Sequence, residues 1–317
     1  MAVFAVRLIL HLSGGLLCLD CQNQKAIFTM VTFLNVVIGG LMLGGIYALI
    51  AVGLSLQYGV ARVLNIAHGE FIMIGAFLTW WMYTVWGINP LVSLAIVGPS
   101  VFVIGFVLHR TLFKYIRTSS ASPGAFEANS LLAAFGLLFI VQNLALIIWG
   151  ADIEGYRFLV TSVNIGGALF PTNRMVTLGF AAGIALAFYI FLSRTRLGKA
   201  IRAAAQNPET AGLMGVNINR VLAICFGLGA MMAGLAGSLL SMTYTIRTSM
   251  GLEYTVIAII VVVLGGMGSI VGSIIGGLLL GLVGSIMLHI DPSLSLVAYY
   301  FIFIILLLIK PTGILGK

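Results

Sequence analysis

Apolar residues in this chain come in long runs separated by shorter polar connections. The runs lie near 31–57, 66–86, 91–109, 130–149, 174–193, 221–245, 253–267, 271–290 and 294–310. A helix needs about 20 mostly apolar residues to cross a bilayer, and these runs meet or approach that length. The seventh is short and ends in Gly265-Gly266-Met267-Gly268, the pattern of a broken or partial helix. The pattern predicts an all-α fold, a polytopic membrane helix bundle with about eight or nine transmembrane helices.

The connections carry the charge. Arg110, Lys114 and Arg117 sit in one, and Arg194, Arg196, Lys199, Arg202 and Arg220 in another against the single acid Glu209. Lys310 and Lys317 close the chain, whereas the 150–173 connection sets Asp152 and Glu154 against Arg157. Lys and Arg collect on the cytoplasmic side of membrane proteins, so the first two connections and the C-terminus are expected inside and 150–173 outside. Nine crossings satisfy all four assignments. If 253–267 only re-entered, the C-terminal lysines would be forced outside.

Small residues recur every fourth position at Gly265, Ser269, Ser273, Gly277, Gly281 and Ser285, beside a second row at Gly268, Gly272 and Gly276. Gly229, Ala233, Gly237 and Ser241 form a similar stripe. Such stripes let helix backbones approach in lipid; general packing accounts for them, and a moving interface around a pore is the sharper reading. Residues 1–29 stand apart as an N-terminal extension: Arg7 and His11 interrupt an apolar patch, and Asp20 to Lys25 are mostly polar. A signal peptide, an extra helix and a spurious start before Met30 are the three readings. Cys18 and Cys21 make a C-x-x-C with no second pair or histidine nearby, and chance spacing explains it better than a redox or metal site.

Composition narrows the class. Charged residues make up 8% of the 317 and hydrophobic ones 61%, with mean hydropathy +1.17. A soluble domain carries about 25% charged residues, so most of this surface must face lipid. The net charge of +8 is a topology signal in this setting rather than a nucleic-acid footprint.

Two polar stretches carry candidate function. In the first, Arg62, Asn65, His68 and Glu70 fall within nine residues between two apolar runs. Ionisable residues near lipid are costly and often functional, yet composition alone favours a hydrated cytoplasmic turn, because Arg62 obeys the positive-inside rule. With Gly265, Gly266 and Gly268, which mark a broken or partial helix, these residues are candidates for a translocation path.

In the second stretch, Asn207 is a natural N-cap, Pro208 suits the first helical position, and Glu209 suits the positive helix end. Gly215 supplies a left-handed terminator. A short helix over about 208–214 follows, marginal alone in water, so it must dock on something. Its own membrane domain and a separate protein are equal readings.

Signatures of catalysis are missing. The chain contains no G-x-x-x-x-G-K-[ST], no G-x-S-x-G and no H-E-x-x-H, and its four histidines fall in separate segments. The chain therefore reads as a transport subunit rather than an enzyme, with no metal and no nucleotide site of its own. An ion-driven carrier would bury paired charges at mid-membrane, whereas Glu70 and Glu253 lie near span ends. A membrane enzyme would cluster acids, bases or metal ligands.

Three segments carry a resemblance: GLMLGGIYALIAVGLSLQYGVARVLNIAHGEFIMIGA, LGKAIRAAAQNPETAGLMGVN and VVVLGGMGSIVGSIIGGLLLG. With them the chain closely resembles, over roughly 31–316, the permease subunits of bacterial ABC importers for branched-chain amino acids. The resemblance implies a permease domain over 30–317 in the bacterial inner membrane. It also implies a second permease subunit, two ATPase subunits that bind ATP, and a periplasmic substrate-binding protein. Gln206, Asn207, Pro208, Glu209, Thr210 and Gly215 match the loop such permeases press into the ATPase. Relatives of the family also carry urea, short amides and other amino acids, so fold alone does not fix the cargo.

Overall fold

A computed structural model describes residues 2–165, 168–291, 294–310 and 312–315, and side chains from Met30 onward except 165–169. Lys317 and the side chains of Cys18 and Cys21 lie outside the described residues. The order is α1 (Ala2–Ala61), α2 (His68–Trp86), α3 (Pro90–Leu108), a π-helical turn (His109–Phe113), α4 (Lys114–Ser119) and α5 (Pro123–Trp149). A two-stranded ribbon follows, β1 (Ser162–Ile165) and β2 (Ala168–Pro171). Then come α6 (Thr172–Arg194), α7 (Arg196–Gln206), α8 (Pro208–Leu213), α9 (Ile218–Ser241), α10 (Met250–Gly265), α11 (Ile270–Ile290) and α12 (Ser295–Ile309). α1 runs as one helix from Ala2 to Ala61.

Six segments among the described residues are long and apolar enough to cross a membrane: Met30–Ala61, Pro90–Ser119, Pro123–Trp149, Thr172–Arg194, Ile218–Ser241 and Ile270–Ile290. The chain is a multi-pass helical membrane bundle. α9 is its axis, with 89% of its span buried against 22% for α5 and for α6, which stand at the periphery. α1, α2 and α3 pack around α9, and α11 lies along α1.

Small side chains decide which helices meet. A Cβ on Gly237 would lie 1.9 Å from the Ile72 carbonyl of α2, and one on Gly229 would lie 2.6 Å from the Gly53 carbonyl of α1. The two glycine rows of α11 divide by partner: Gly277 and Gly281 touch Ala48 and Gly44 of α1, while Gly272 and Gly276 touch Gly265 and Val261 of α10. Close backbone packing, the plainer of the two readings of these stripes, is what they do here.

The all-α expectation needs one amendment. The 150–173 connection carries an antiparallel ribbon in which Ser162 pairs with Pro171 and Val163 with Phe170. Nearby, Glu154 and Ile246 exchange backbone hydrogen bonds of 2.9 and 2.8 Å, and the Tyr156 hydroxyl lies 3.0 Å from Ser241 Oγ. With the Tyr83 hydroxyl donating to the Arg157 carbonyl at 3.3 Å, these bonds gather the ends of α2, α5 and α9 at one end of the bundle. At the other end, Arg62, Arg117 and Pro208 line one cleft of about 410 Å3, so the basic connections converge.

Candidate functional site

α1 ends at Ala61 and the chain reverses through Arg62, a non-glycine residue at φ 54°. The reversal does not carry the next residues into water. Asn65 and His68 are fully buried and Glu70 is 1% exposed. The hydrated-turn reading is therefore overturned for these three, because α2 starts inside the bundle, where α1, α9 and α10 meet. Arg62 alone is exposed, 5.9 Å over the Tyr58 ring.

Asn65, His68, Gln57 and Thr255 each have a defined hydrogen-bond partner. His68 Nε2 lies 3.1 Å from the Ile50 carbonyl of α1, so that nitrogen carries the proton. Asn65 Oδ1 accepts from the Ala67 amide at 3.1 Å, and its Nδ2 donates to Gln57 Oε1 at 3.4 Å. Gln57 Nε2 in turn donates to the Phe226 carbonyl of α9 at 3.0 Å. Thr255 of α10 accepts from the Gly69 amide at 2.8 Å and reaches the Ile66 carbonyl at 2.9 Å, tying the start of α2 to α10.

Two atoms are left over. His68 Nδ1 and Glu70 Oε2 are buried without a hydrogen-bond partner among the described residues. Glu70 faces Gly251, where a Cβ would come within 2.2 Å of Glu70 Oε1. Buried polar atoms are nearly always paired, so these two atoms are unused bonding capacity, one beside α1 and one beside α10; five other buried side-chain atoms among the described residues are also unpaired.

Gly265, Gly266 and Gly268 form the tight turn from α10 to α11 and do not join the His68–Glu70 cluster. Gly266 and Gly268 adopt φ 102° and 83°, and Gly268 abuts Gly59 at the end of α1. Amides of the C-terminal tail cap α10 here: Ile314 N donates to Leu264 O at 2.9 Å and Leu315 N to Gly265 O at 3.1 Å. At the following helix start, Ser269 Oγ accepts from the Gly272 amide at 3.1 Å.

The second segment folds as its caps dictate. Asn207 Oδ1 accepts from the Glu209 and Thr210 amides, both at 3.0 Å, and α8 spans Pro208–Leu213. Val216 N reaches back to Ala211 O at 3.1 Å around Gly215 at φ 85°. Gln206, Asn207, Pro208, Glu209, Thr210 and Gly215 are all exposed, and Ala211 is the residue of α8 that packs inward. Thr195 caps α7, accepting from the Gly198 amide at 3.0 Å. Arg202 ties α7 to the end of α6 by donating to the Leu192 carbonyl.

Four residues of these two segments escape sequence reading. Gln57 and Thr255 are polar residues within apolar runs, and that alone flags them. Leu213, the last residue of α8, and Met214 after it are 89% and 82% exposed; neighbouring apolar residues beside a glycine terminator were the available signal.

The family profile described as branched-chain amino acid transport system / permease component matches residues 36–309. The high-affinity branched-chain amino acid transport system permease protein BraD of Pseudomonas aeruginosa is 31% identical over 302 residues, 90% of this chain and 96% of that protein. LivH of Escherichia coli K12, which bears the same description, is 32% identical over 303 residues with the same coverage. The probable permease LivH of Methanocaldococcus jannaschii is 25% identical over 292 residues, 88% of this chain and 91% of that one. This chain belongs to the branched-chain amino acid transport permease family. It is a transport component and not an enzyme.

Proposed function

We propose that this chain is one of two permease subunits of an ATP-driven importer for branched-chain or related hydrophobic amino acids in a bacterial inner membrane. The observation that carries the reading is the near full-length similarity to BraD and LivH, both named for that cargo. Residues 30–317 form the permease domain and 1–29 an extension to it. Two ATPase subunits bind the ATP, and a periplasmic protein delivers the substrate. The chain crosses nine times: the six long spans, α2 with 19 residues, and the shorter α10 and α12. None of the three relatives is named for urea or a short amide, which favours amino acids over those cargoes.

The path runs past the buried start of α2. There His68 and Glu70 hold the unused hydrogen-bonding atoms that a zwitterion or a shifted helix would engage, beside Asn65. Arg62 and the Gly265, Gly266 and Gly268 turn lie towards the cytoplasmic mouth. Work enters through Gln206 to Gly215, where exposed Leu213 and Met214 give α8 an apolar tip for an ATPase groove.

The test is uptake of labelled leucine, isoleucine, valine and urea by cells that carry this chain with its partners. Saturable uptake of the amino acids that survives an ionophore and stops on ATP depletion is expected. Uptake that follows an ion gradient instead, or that favours urea, rejects the reading.

A further inference from the structure

The start of α9 and the far end of α3, with the π-helical turn beyond it, enclose a cleft of about 500 Å3. It is lined by Phe106, Arg110, Lys114, Asn217, Asn219 and Arg220. Three of the six are cations and none is an acid. Arg110, Lys114 and Arg220 form no ion pair among the described residues, so no carboxylate neutralises the three. Gathered cations repel one another, and a bound anion relieves that repulsion. The cleft is held in shape: Arg110 sits 5.4 Å over the Phe106 ring, and Asn217 fixes the first turn of α9 by accepting from the Arg220 amide at 3.1 Å.

What leads into the cleft names the occupant. Val103 and Val107, 55% and 49% exposed, lie on the same helix. Positions 103, 107 and 110 follow the spacing of one helix face, and Lys114 comes one turn later across the π-helical turn. An apolar strip at lipid depth therefore ends in a cationic pocket at the membrane surface, which matches an acyl chain followed by a phosphate. A free anion would make no use of the strip.

We propose that this cleft binds the headgroup phosphate of an anionic phospholipid, with an acyl chain along Val103 and Val107. The lipid braces the start of α9, the helix on which α1, α2 and α3 all pack. The site is independent of the transport reading.

The experiment is native mass spectrometry of the purified full chain, with phosphatidylglycerol or phosphatidylcholine added at equal concentration. Phosphatidylglycerol is expected to be retained in preference. Arg110→Gln, Lys114→Gln and Arg220→Gln should each weaken its retention about five-fold, from the attraction of one basic residue to an anionic lipid surface. Arg110→Lys keeps the charge and should keep most of the binding, which separates a lost contact from a misfolded chain. Arg196→Gln, an exposed cation outside the cleft, should change nothing. Equal retention of the two lipids overturns the proposal, as does undiminished retention in all three glutamine variants. Release of phosphatidylglycerol by millimolar inorganic phosphate would also sink it, since that marks a free-anion site.

Discussion

At Gly69 two backbones touch: a Cβ there would lie 1.8 Å from the Gly251 carbonyl and 2.5 Å from Thr255 Oγ1. No rotamer relieves a clash with backbone, so Gly69→Ala must push α2 from α10. We expect a loss of about 1–3 kcal/mol, the usual cost of overpacking, read as a lower unfolding midpoint in detergent. Gly136→Ala is the control, because it meets nothing within 4 Å and gains helix propensity of about 0.5–1 kcal/mol. Thr255→Val keeps the shape but leaves the Gly69 amide and the Ile66 carbonyl unpaired, at a cost of about 1–3 kcal/mol. For the proposed path the expectation differs. His68→Ala and Glu70→Gln should assemble and couple to the ATPase while uptake falls. Normal uptake by both variants at normal expression would reduce the cluster to packing. That these residues are candidates was legible from polar and ionisable groups beside apolar runs. Their burial was not, because besides α1 it depends on α9 and α10, more than 150 positions away in sequence.

Elements governed by neighbouring residues are the ones the sequence specifies best. α8 is the clearest: Asn207, Pro208 and Gly215 act within one turn of their own positions, and the helix appears within a residue of the expected bounds. The ribbon at 162–171 is the counter-example, since a pair of four-residue strands carries too little pattern to stand out beside long apolar runs. The short α10 was legible as a run ending in glycines. Its cap was not, because the amides of Ile314 and Leu315 come from some 50 residues further on. Two changes test α8 as the coupling element. Asn207→Ala removes a cap worth about 1 kcal/mol. Gly215→Val opposes a left-handed backbone at about 1–2 kcal/mol without any clash, as the space around Gly215 is open. Both variants should insert normally yet lower substrate-stimulated ATP hydrolysis and uptake in reconstituted vesicles. Wild-type values for both would remove α8 from the coupling path.

For the molecule as a whole, the open quantity is parity. α10 has 16 residues, about 24 Å of helix, against a hydrocarbon core of about 30 Å. Length alone thus leaves it between a crossing and a re-entrant segment. Charge and contacts point to a crossing. The bonds from Glu154, Tyr156 and Asn173 to residues 241–246 hold the 150–173 connection to the start of the α9–α10 loop. At the opposite end, the α10–α11 turn touches Gly59 and the tail at 313–315. The two ends of α10 therefore belong to opposite ends of the bundle, and the basic connections share the end with the tail. Positive-inside placement predicts that this end is cytoplasmic. Thr161, Ser119, Gln206 and Thr312 are exposed, and Cys18, Cys21 and Cys225 are replaced first to give a clean background. An impermeant thiol reagent applied to intact cells should then label Thr161→Cys and spare Ser119→Cys, Gln206→Cys and Thr312→Cys. Labelling of Gln206→Cys with Thr161→Cys spared would invert the bundle. Labelling of Thr161→Cys and Thr312→Cys together would make α10 re-entrant and the crossing count even.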